Sequence, residues 1–440
     1  MPVGSSLPQR SVVLRYPPAT TSFINATGRE GEGEAESEES YQLLELAPEI
    51  IKAVEASRSR LTSDSTTDKK DASIYPLTIK GKPSDDAVLC TPDSTFLLRT
   101  VGISNSILVC RTPSSSAANL DSIAESRSDT VKPTLQIRDT CHEILECVPI
   151  SPNLERIRTI LKESAWKGIN SSSASLGKRK RGDAKEKKVK RWTRDQLNSV
   201  IQASDEELER GLRDRNVIEV DGKMLLLPPK ELKELLSIIL SLLTIHNTGP
   251  STPNIAPSRQ LISSLEDDHE VSPAITERVL RLFGHISPDQ DENGLNWKCD
   301  IKRIVKCIGN GLLLGVREKK LDEFEREWKE EVGEEFGDEV DIKLLEGEYL
   351  ISPAPMTSLT FSSPSPLITH FSLASLPLQP AQRFADLFLT RQKWSPEDIL
   401  PFLKGLTRDG DVKARDKLVA KFVRVVKEKD GVWWYPRRSS

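Results

Sequence analysis

The sequence predicts an α+β multidomain protein: a β-rich N-terminal region followed by three modules, each a set of helices closed by a two-stranded hairpin. Three observations carry this reading. Short β-type runs (LTIK, AVLCT, TFLLRTV, SILVCR) crowd the segment from Leu77 to Arg111, separated by polar breaks at Gly81–Asp86, Pro92–Ser94 and Gly102–Asn105. That is the pattern of an antiparallel meander. An acidic residue followed by glycine recurs at Asp221-Gly222, Glu346-Gly347 and Asp430-Gly431, each time with a helical pattern upstream. Proline- and serine-rich stretches separate the copies. Helices running into a tight hairpin are the sequence shape of a winged-helix module.

Residues 1–40 hold one possible strand, Val12–Tyr16, and an acidic, glycine-rich segment that cannot build a core. Residues 41–148 form the expected β-rich domain. Its lead-in, Tyr41–Ala56, reads as a helix with apolar Leu43, Leu44, Leu46, Ile50, Ile51 and Val54, and Pro48 near its first turn. After the meander come a polar loop (Thr112–Lys132) and the runs Thr134–Arg138 and Cys141–Val148.

The first winged-helix module spans 149–229, with a basic insertion at 168–191. Helices are expected at Asn153–Ser164, Thr193–Ile201 and Asp205–Arg215; Ser204 and Glu207 have the spacing of a capping box for the last. The hairpin VIEV-DG-KMLLL follows. A bridging helix (Leu232–Ile245) and a Pro/Ser/Asn-rich linker occupy 230–272. The second module (273–352) takes helices at Thr276–Phe283, Lys298–Gly309 and Leu321–Val332, with DIKLL-EG-EYLI as its hairpin. A Pro/Ser-rich linker (353–375) leads to the third module (376–440): helices at Gln379–Arg391, Pro396–Leu406 (capped by Ser395) and Val412–Lys427, then a strand through Trp433-Trp434-Tyr435. The alternative is an irregular helical domain with incidental hairpins.

The order of pieces in the β-rich region is specific. Leu43-Leu44-Glu45-Leu46, Ile79-Lys80-Gly81, Ala87-Val88-Leu89-Cys90-Thr91, Thr95-Phe96, Leu98-Arg99 and Ser104-Asn105-Ser106 together resemble the N-terminal block of the "defective in sister chromatid cohesion" family, the sister chromatid cohesion DCC family. The likeness covers about residues 41–110. It departs in having Phe96 where the family pattern has tyrosine, and in a polar insertion at Ser57–Ser73. The resemblance implies a non-catalytic subunit of an alternative replication factor C clamp loader, acting in DNA replication and sister chromatid cohesion. It implies a composite β-barrel completed by a small companion subunit and the large clamp-loader subunit, winged-helix domains downstream, a link to DNA polymerase epsilon, and an indirect link to the sliding clamp. Candidate partner-binding residues are then Ile79, Val88, Leu89, Phe96, Leu98, Ile107 and Val109. Short strands with open edges also supply a physical reason for completion by other chains.

Composition limits the alternatives. A chain of 440 residues accommodates two to four domains, and 37% hydrophobic residues with 28 prolines indicates long linkers. The net charge of −4 excludes a uniformly basic nucleic-acid coat, so any DNA contact must be local. The six cysteines show no C-x-x-C spacing and no secretory leader pattern is evident, so reduced thiols in an intracellular protein are expected. No apolar run approaches the ~20 residues of a membrane span.

Two basic features stand out. Lys178, Arg179, Lys180, Arg181, Lys185, Lys187, Lys188, Lys190 and Arg191 place nine cations within fourteen positions, which reads as a nuclear import signal, with phosphate contact secondary. The expected nuclear, chromatin-associated location follows from it. On the last predicted helix, Leu418, Val419, Phe422, Val423 and Val426 form a buried stripe. The other positions carry Lys413, Arg415, Lys417, Lys421, Arg424 and Lys427, with Arg437 and Arg438 beyond the hairpin. This is a candidate for sequence-independent DNA binding, since no Asn or Gln is placed to read bases. A solvated face without a ligand is the alternative.

Enzymatic signatures are missing. There is no G-x-x-x-x-G-K-[ST], G-x-S-x-G or H-E-x-x-H, and Gly309-Asn310-Gly311 reads as a loop or close-packing site. Cys141-His142 with Cys147 falls short of a metal site, so no cofactor and no metal is expected. The rival to the adaptor reading is a stand-alone winged-helix DNA-binding or transcription-associated protein.

Overall fold

The structure is a computed structural model that describes residues 13–15, 40–63, 77–112, 134–169, 189–247, 254–291, 294–353, 365–408 and 410–437. It is a mixed α/β chain of helices and several small sheets, and no sheet among the described residues closes into a barrel. Its contacts divide it into two units: residues 1–75 with 96–148, and residues 76–95 with 149–440.

The first unit is built from strands β1 (Val13–Arg15) and β2 (Leu43–Glu45) and helix α1 (Pro48–Ser63). Strands β3 (Thr78–Lys80) and β4 (Val88–Cys90) belong to the second unit, while β5 (Thr95–Arg111) and β6 (Thr134–Ile150) are 17 residues each and neighbour one another. Strands β1 and β2 both lie parallel to β6, at Val13↔Thr134 and Leu43↔Ile144. Tyr41 donates its backbone N–H to Asp139 at 2.8 Å, and Arg99 pairs with Glu146. The lead-in is therefore not one helix. Its first half pairs as a strand, and the helix begins at Pro48, whose missing N–H and fixed φ suit a first turn. Gly102 is not a break either: β5 runs through it with φ outside the left-handed region, because glycine tolerates extended backbone as readily as a turn.

The second unit begins with the β3–β4 hairpin, paired at Ile79↔Leu89. Its polar groups tie it to the first helical module, α2 (Arg156–Leu161), α3 (Arg194–Val200), α4 (Asp205–Asp214) and the ribbon β7 (Val217–Val220) and β8 (Lys223–Leu226). The capping box of α4 forms as the spacing predicts, with Ser204 Oγ accepting from Glu207 N at 3.2 Å. Glu207 Oε2 accepts from Ser204 N at 3.0 Å and also from the Thr95 hydroxyl at 2.5 Å. The buried Lys80 ammonium donates to Asn198 Oδ1 and Ala203 O, both at 2.6 Å. The hairpin thus sits on the α4 N-terminus, although in sequence it continues into β5. The β7–β8 turn has Asp221 at φ 51° and Gly222 at φ 69°, the two left-handed residues a tight hairpin requires. Ile157, Leu161, Leu197, Leu208, Leu212, Val217 and Met224 make this module's core.

Helix α5 (Pro229–His246) does more than bridge. Leu232, Leu235, Leu236, Ile239, Leu240 and Leu243 bury its inner face, making it the axis of the largest core. Around it pack β9 (Ile255–Pro257), α6 (Ser258–His269), α7 (Pro273–Leu282), β10 (Gly284–Asp291), β11 (Gly294–Cys299), α8 (Ile301–Leu313) and α9 (Leu321–Val332). Gly309 and Gly311 lie within α8, where a Cβ would meet Trp328 at 2.5 Å and Lys233 at 2.6 Å, so the glycines serve close helix packing.

The Glu346-Gly347 hairpin does not form. Ile342–Leu345 is a short 3-10 turn, and β13 (Tyr349–Ser352) pairs with β14 (Leu367–His370), whose other edge takes β12 (Lys319–Lys320). The ribbon of this region is instead β10–β11, which the sequence pattern did not signal.

The last module comprises α10 (Pro380–Thr390), α11 (Pro396–Ile399), α12 (Val412–Phe422) and the ribbon β15 (Val423–Glu428) and β16 (Gly431–Pro436). The predicted final helix is five residues too long. Val423, Val425 and Val426 are β-branched, and they pair across to Pro436, Trp434 and Trp433.

Candidate functional site

The C-terminal module brings together the cationic surface read from the sequence, in an altered arrangement. Asp411 caps α12, accepting from Ala414 N at 2.9 Å, and Val419 and Val423 are buried beneath it. Lys413, Lys417 and Lys421 project from the helix, whereas Arg424 and Lys427 stand on β15. Val425, on the same strand, is 56% exposed and does not belong to a buried stripe.

Not all the cations are equally free. Arg415 pairs with Asp416 at 3.1 Å, and the Arg424 guanidinium lies 5.7 Å from the Tyr435 ring centroid. Arg437 is absorbed structurally: its N–H donates to Phe422 O and its guanidinium to Ala420 O, both at 2.8 Å, capping the end of α12. Arg438 lies outside the described residues.

The ribbon adds a network that the sequence pattern did not single out. Lys393, on the segment after α10, pairs with Glu428 at 2.8 Å and sits 4.2 Å from the Trp433 ring centroid. The Tyr435 hydroxyl also donates to Glu428. These two hydrogen bonds, Lys393 first, hold the Glu428 carboxyl below its ordinary range, and the bond to Glu428 holds the Lys393 ammonium above its own. Trp394 bridges to Trp434 through paired backbone hydrogen bonds of 3.0 and 2.8 Å. One face of the ribbon is thereby spent on packing.

The candidate partner-binding residues separate by burial. Val88, Leu89 and Phe96 are buried within this chain. Leu98 and Val109 are half-buried. Ile79 is 67% exposed and Ile107 38%. From Arg99 onward β5 is exposed or half-buried on both faces, and Leu108 stands beside Ile107 at 37%. Of the import tract, Lys190 and Arg191 are described; Lys190 lies 3.7 Å from the Trp192 ring centroid. Lys178, Arg179, Lys180, Arg181, Lys185, Lys187 and Lys188 lie outside the described residues.

Among the described residues, no three His, Cys, Asp or Glu side chains converge as a metal site, and no helix is long and apolar enough to cross a membrane. Burial pushes the Cys299 thiol far up and the Cys307 thiol to about 11, so neither is a nucleophile near neutral pH.

The long strands β5 and β6 of the first unit and the cationic surface of α12 and β15 in the second are the chain's candidate interaction surfaces. The family model of the sister chromatid cohesion protein Dcc1 matches residues 41–403, and the chain belongs to that family, the one its N-terminal motifs resemble. It is similar to the sister chromatid cohesion protein DCC1 of Mus musculus, at 25% identity over 92% of this chain and 87% of the relative. The protein of that name from Danio rerio is 25% identical over 89% and 88%, and that from Saccharomyces cerevisiae 23% identical over 88% and 94%. Residues 404–440, which carry α12 and its ribbon, lie beyond the family match, so the cationic surface stands on this chain's own geometry.

Proposed function

We propose that this chain acts in sister chromatid cohesion as a non-catalytic adaptor of an alternative replication factor C clamp-loader assembly in the nucleus. The observation that supports it best is the state of β5 and β6. Both strands are 17 residues long, and from Arg99 onward β5 leaves its apolar side chains, among them Ile107 and Leu108, half-buried or exposed on both faces, while β6 buries Ile137 and Cys141. A strand stretch of that length with so little covering is marginal alone, and strands from other polypeptides would complete it. The companion small subunit and the large loader subunit are the partners the family resemblance implies. The three helical modules serve in this reading as winged-helix domains that meet DNA and DNA polymerase epsilon, which would bring the loader to sites of sliding-clamp loading.

Hydrogen exchange on the full chain, alone and with fragments of the two partner subunits, tests the proposal. Amides of Leu97–Arg111 and Leu135–Ile150 are expected to gain protection only when both fragments are present. Equal protection in the isolated chain would remove the adaptor reading and favour a stand-alone DNA-binding protein.

A further inference from the structure

A cavity of the second unit, about 660 Å³, opens between the first module and the core around α5. Its floor is apolar: Leu212 from α4, Val217 and Met224 from the β7–β8 ribbon, and Leu282 from α7. Six cations line it, Arg194, Arg213, Arg278, Arg281, Lys298 and Arg303, against Glu209, Glu219 and Asp300.

Several of these charges are already committed. Arg194 pairs with Glu209 at 2.8 Å, and Arg281 with Glu277 at 2.9 Å. Asp300 caps α8, accepting from Arg303 N at 3.2 Å. Arg303 donates to Arg213 O at 2.8 Å and lies 5.2 Å from the Phe283 ring centroid, which fixes a guanidinium in the wall. Arg213, Arg278 and Lys298 remain exposed at the rim, with no ion pair among the described residues. They project from α4, α7 and β11 respectively, so three elements converge charge of one sign on one opening.

The geometry points to a docking groove for a short acidic peptide of a partner protein, one large apolar side chain seated on the floor and Asp or Glu residues on either side of it. The volume lies within the ~300–1,000 Å³ of side-chain and ligand pockets. A recessed apolar floor matches a side chain and gives a phosphodiester backbone nothing to bond. The dispersed rim cations match carboxylates spread along a strand better than one focal anion. Converging positive potential also speeds the approach of an acidic segment. This groove shares no residue with β5 or β6 and does not depend on the adaptor assignment.

Selection of displayed random 12-residue peptides on the full chain, followed by anisotropy with the enriched peptide, tests the groove. Enriched sequences are expected to combine Asp or Glu with one Leu, Ile, Met or Phe. The triple variant R213E/R278E/K298E is expected to weaken that peptide about tenfold or more, and R213Q/R278Q/K298Q by less, since exposed pairs add modestly. All three side chains are exposed, so unchanged melting curves establish that both variants fold. Enrichment without acidic residues, or equal affinity for the triple variant, overturns the proposal. So does a 20-base-pair duplex that loses affinity in the triple variant when no acidic peptide does, which would make the groove a nucleic-acid contact.

Discussion

Gly309 shows how much one missing side chain can carry. With Trp328 against its α-carbon and the Trp328 indole donating to Val305 O at 3.0 Å, α8 and α9 pack too closely for a methyl group. Gly309→Ala should cost about 1–3 kcal/mol through overpacking, despite alanine's better helix propensity. A melting temperature equal to the parent's would refute the close-packing account. Glu207 is a second such residue. Replacing it with alanine leaves the buried Thr95 hydroxyl without its acceptor, at about 1–3 kcal/mol, while the Ser204 N–H keeps Thr95 Oγ at 2.9 Å. Urea titration of E207A measures this, and a midpoint unchanged from the parent's would show that the β3–β4 hairpin is held by other contacts. Glu428 is titratable rather than steric. Its depressed carboxyl means that the stability it lends the ribbon is present above the ordinary glutamate value of 4.5 and is lost as pH falls through the lower folded value. Amide exchange across 423–436 should therefore rise on the acid side in the parent and show no such step in E428Q. A step of equal size in both would detach Glu428 from ribbon stability.

At the scale of elements, the cationic surface is a helix and a strand, not one helix. Lys417 and Lys421 on α12 and Arg424 on β15 are exposed together at their junction. Charge reversal at these three should weaken binding to a duplex more at low salt than at high salt, because each lost phosphate contact lowers the salt slope. Affinity that does not change at 50 mM salt would end that surface's claim on DNA. The junction was hidden from periodicity. Lys413 to Lys427 keeps an amphipathic helical pattern, and the β-branched Val423, Val425 and Val426 are the one local signal that the helix stops at Phe422. The Asp221-Gly222 turn was legible because a two-residue hairpin constrains its own backbone, while Asp430-Gly431 marked a hairpin one residue out of place, its turn being Lys429 and Asp430 with Gly431 the first residue of β16. The Glu346-Gly347 turn misled because the same dipeptide also follows a 3-10 turn, with Gly347 at φ 87°.

Across the whole chain, the N-terminal motif order pointed to the cohesion family from residue identities alone, and the net charge of −4 confined any DNA contact to local patches. Family membership, from a match over residues 41–403, bears out the resemblance read from the motif order of about residues 41–110. Those features are local, and local chemistry survives in a linear string. The seating of the β3–β4 hairpin on α4, the promotion of α5 from linker to core axis, and the groove assembled from residues 194 to 303 were decided only by the tertiary structure. Each depends on pairings between residues up to more than a hundred positions apart, such as Lys80 with Ala203. A one-dimensional pattern reports which side chains prefer burial. Which of them bury one another is set by packing, where burying a polar group demands a partner and an apolar face accepts any neighbour of suitable shape.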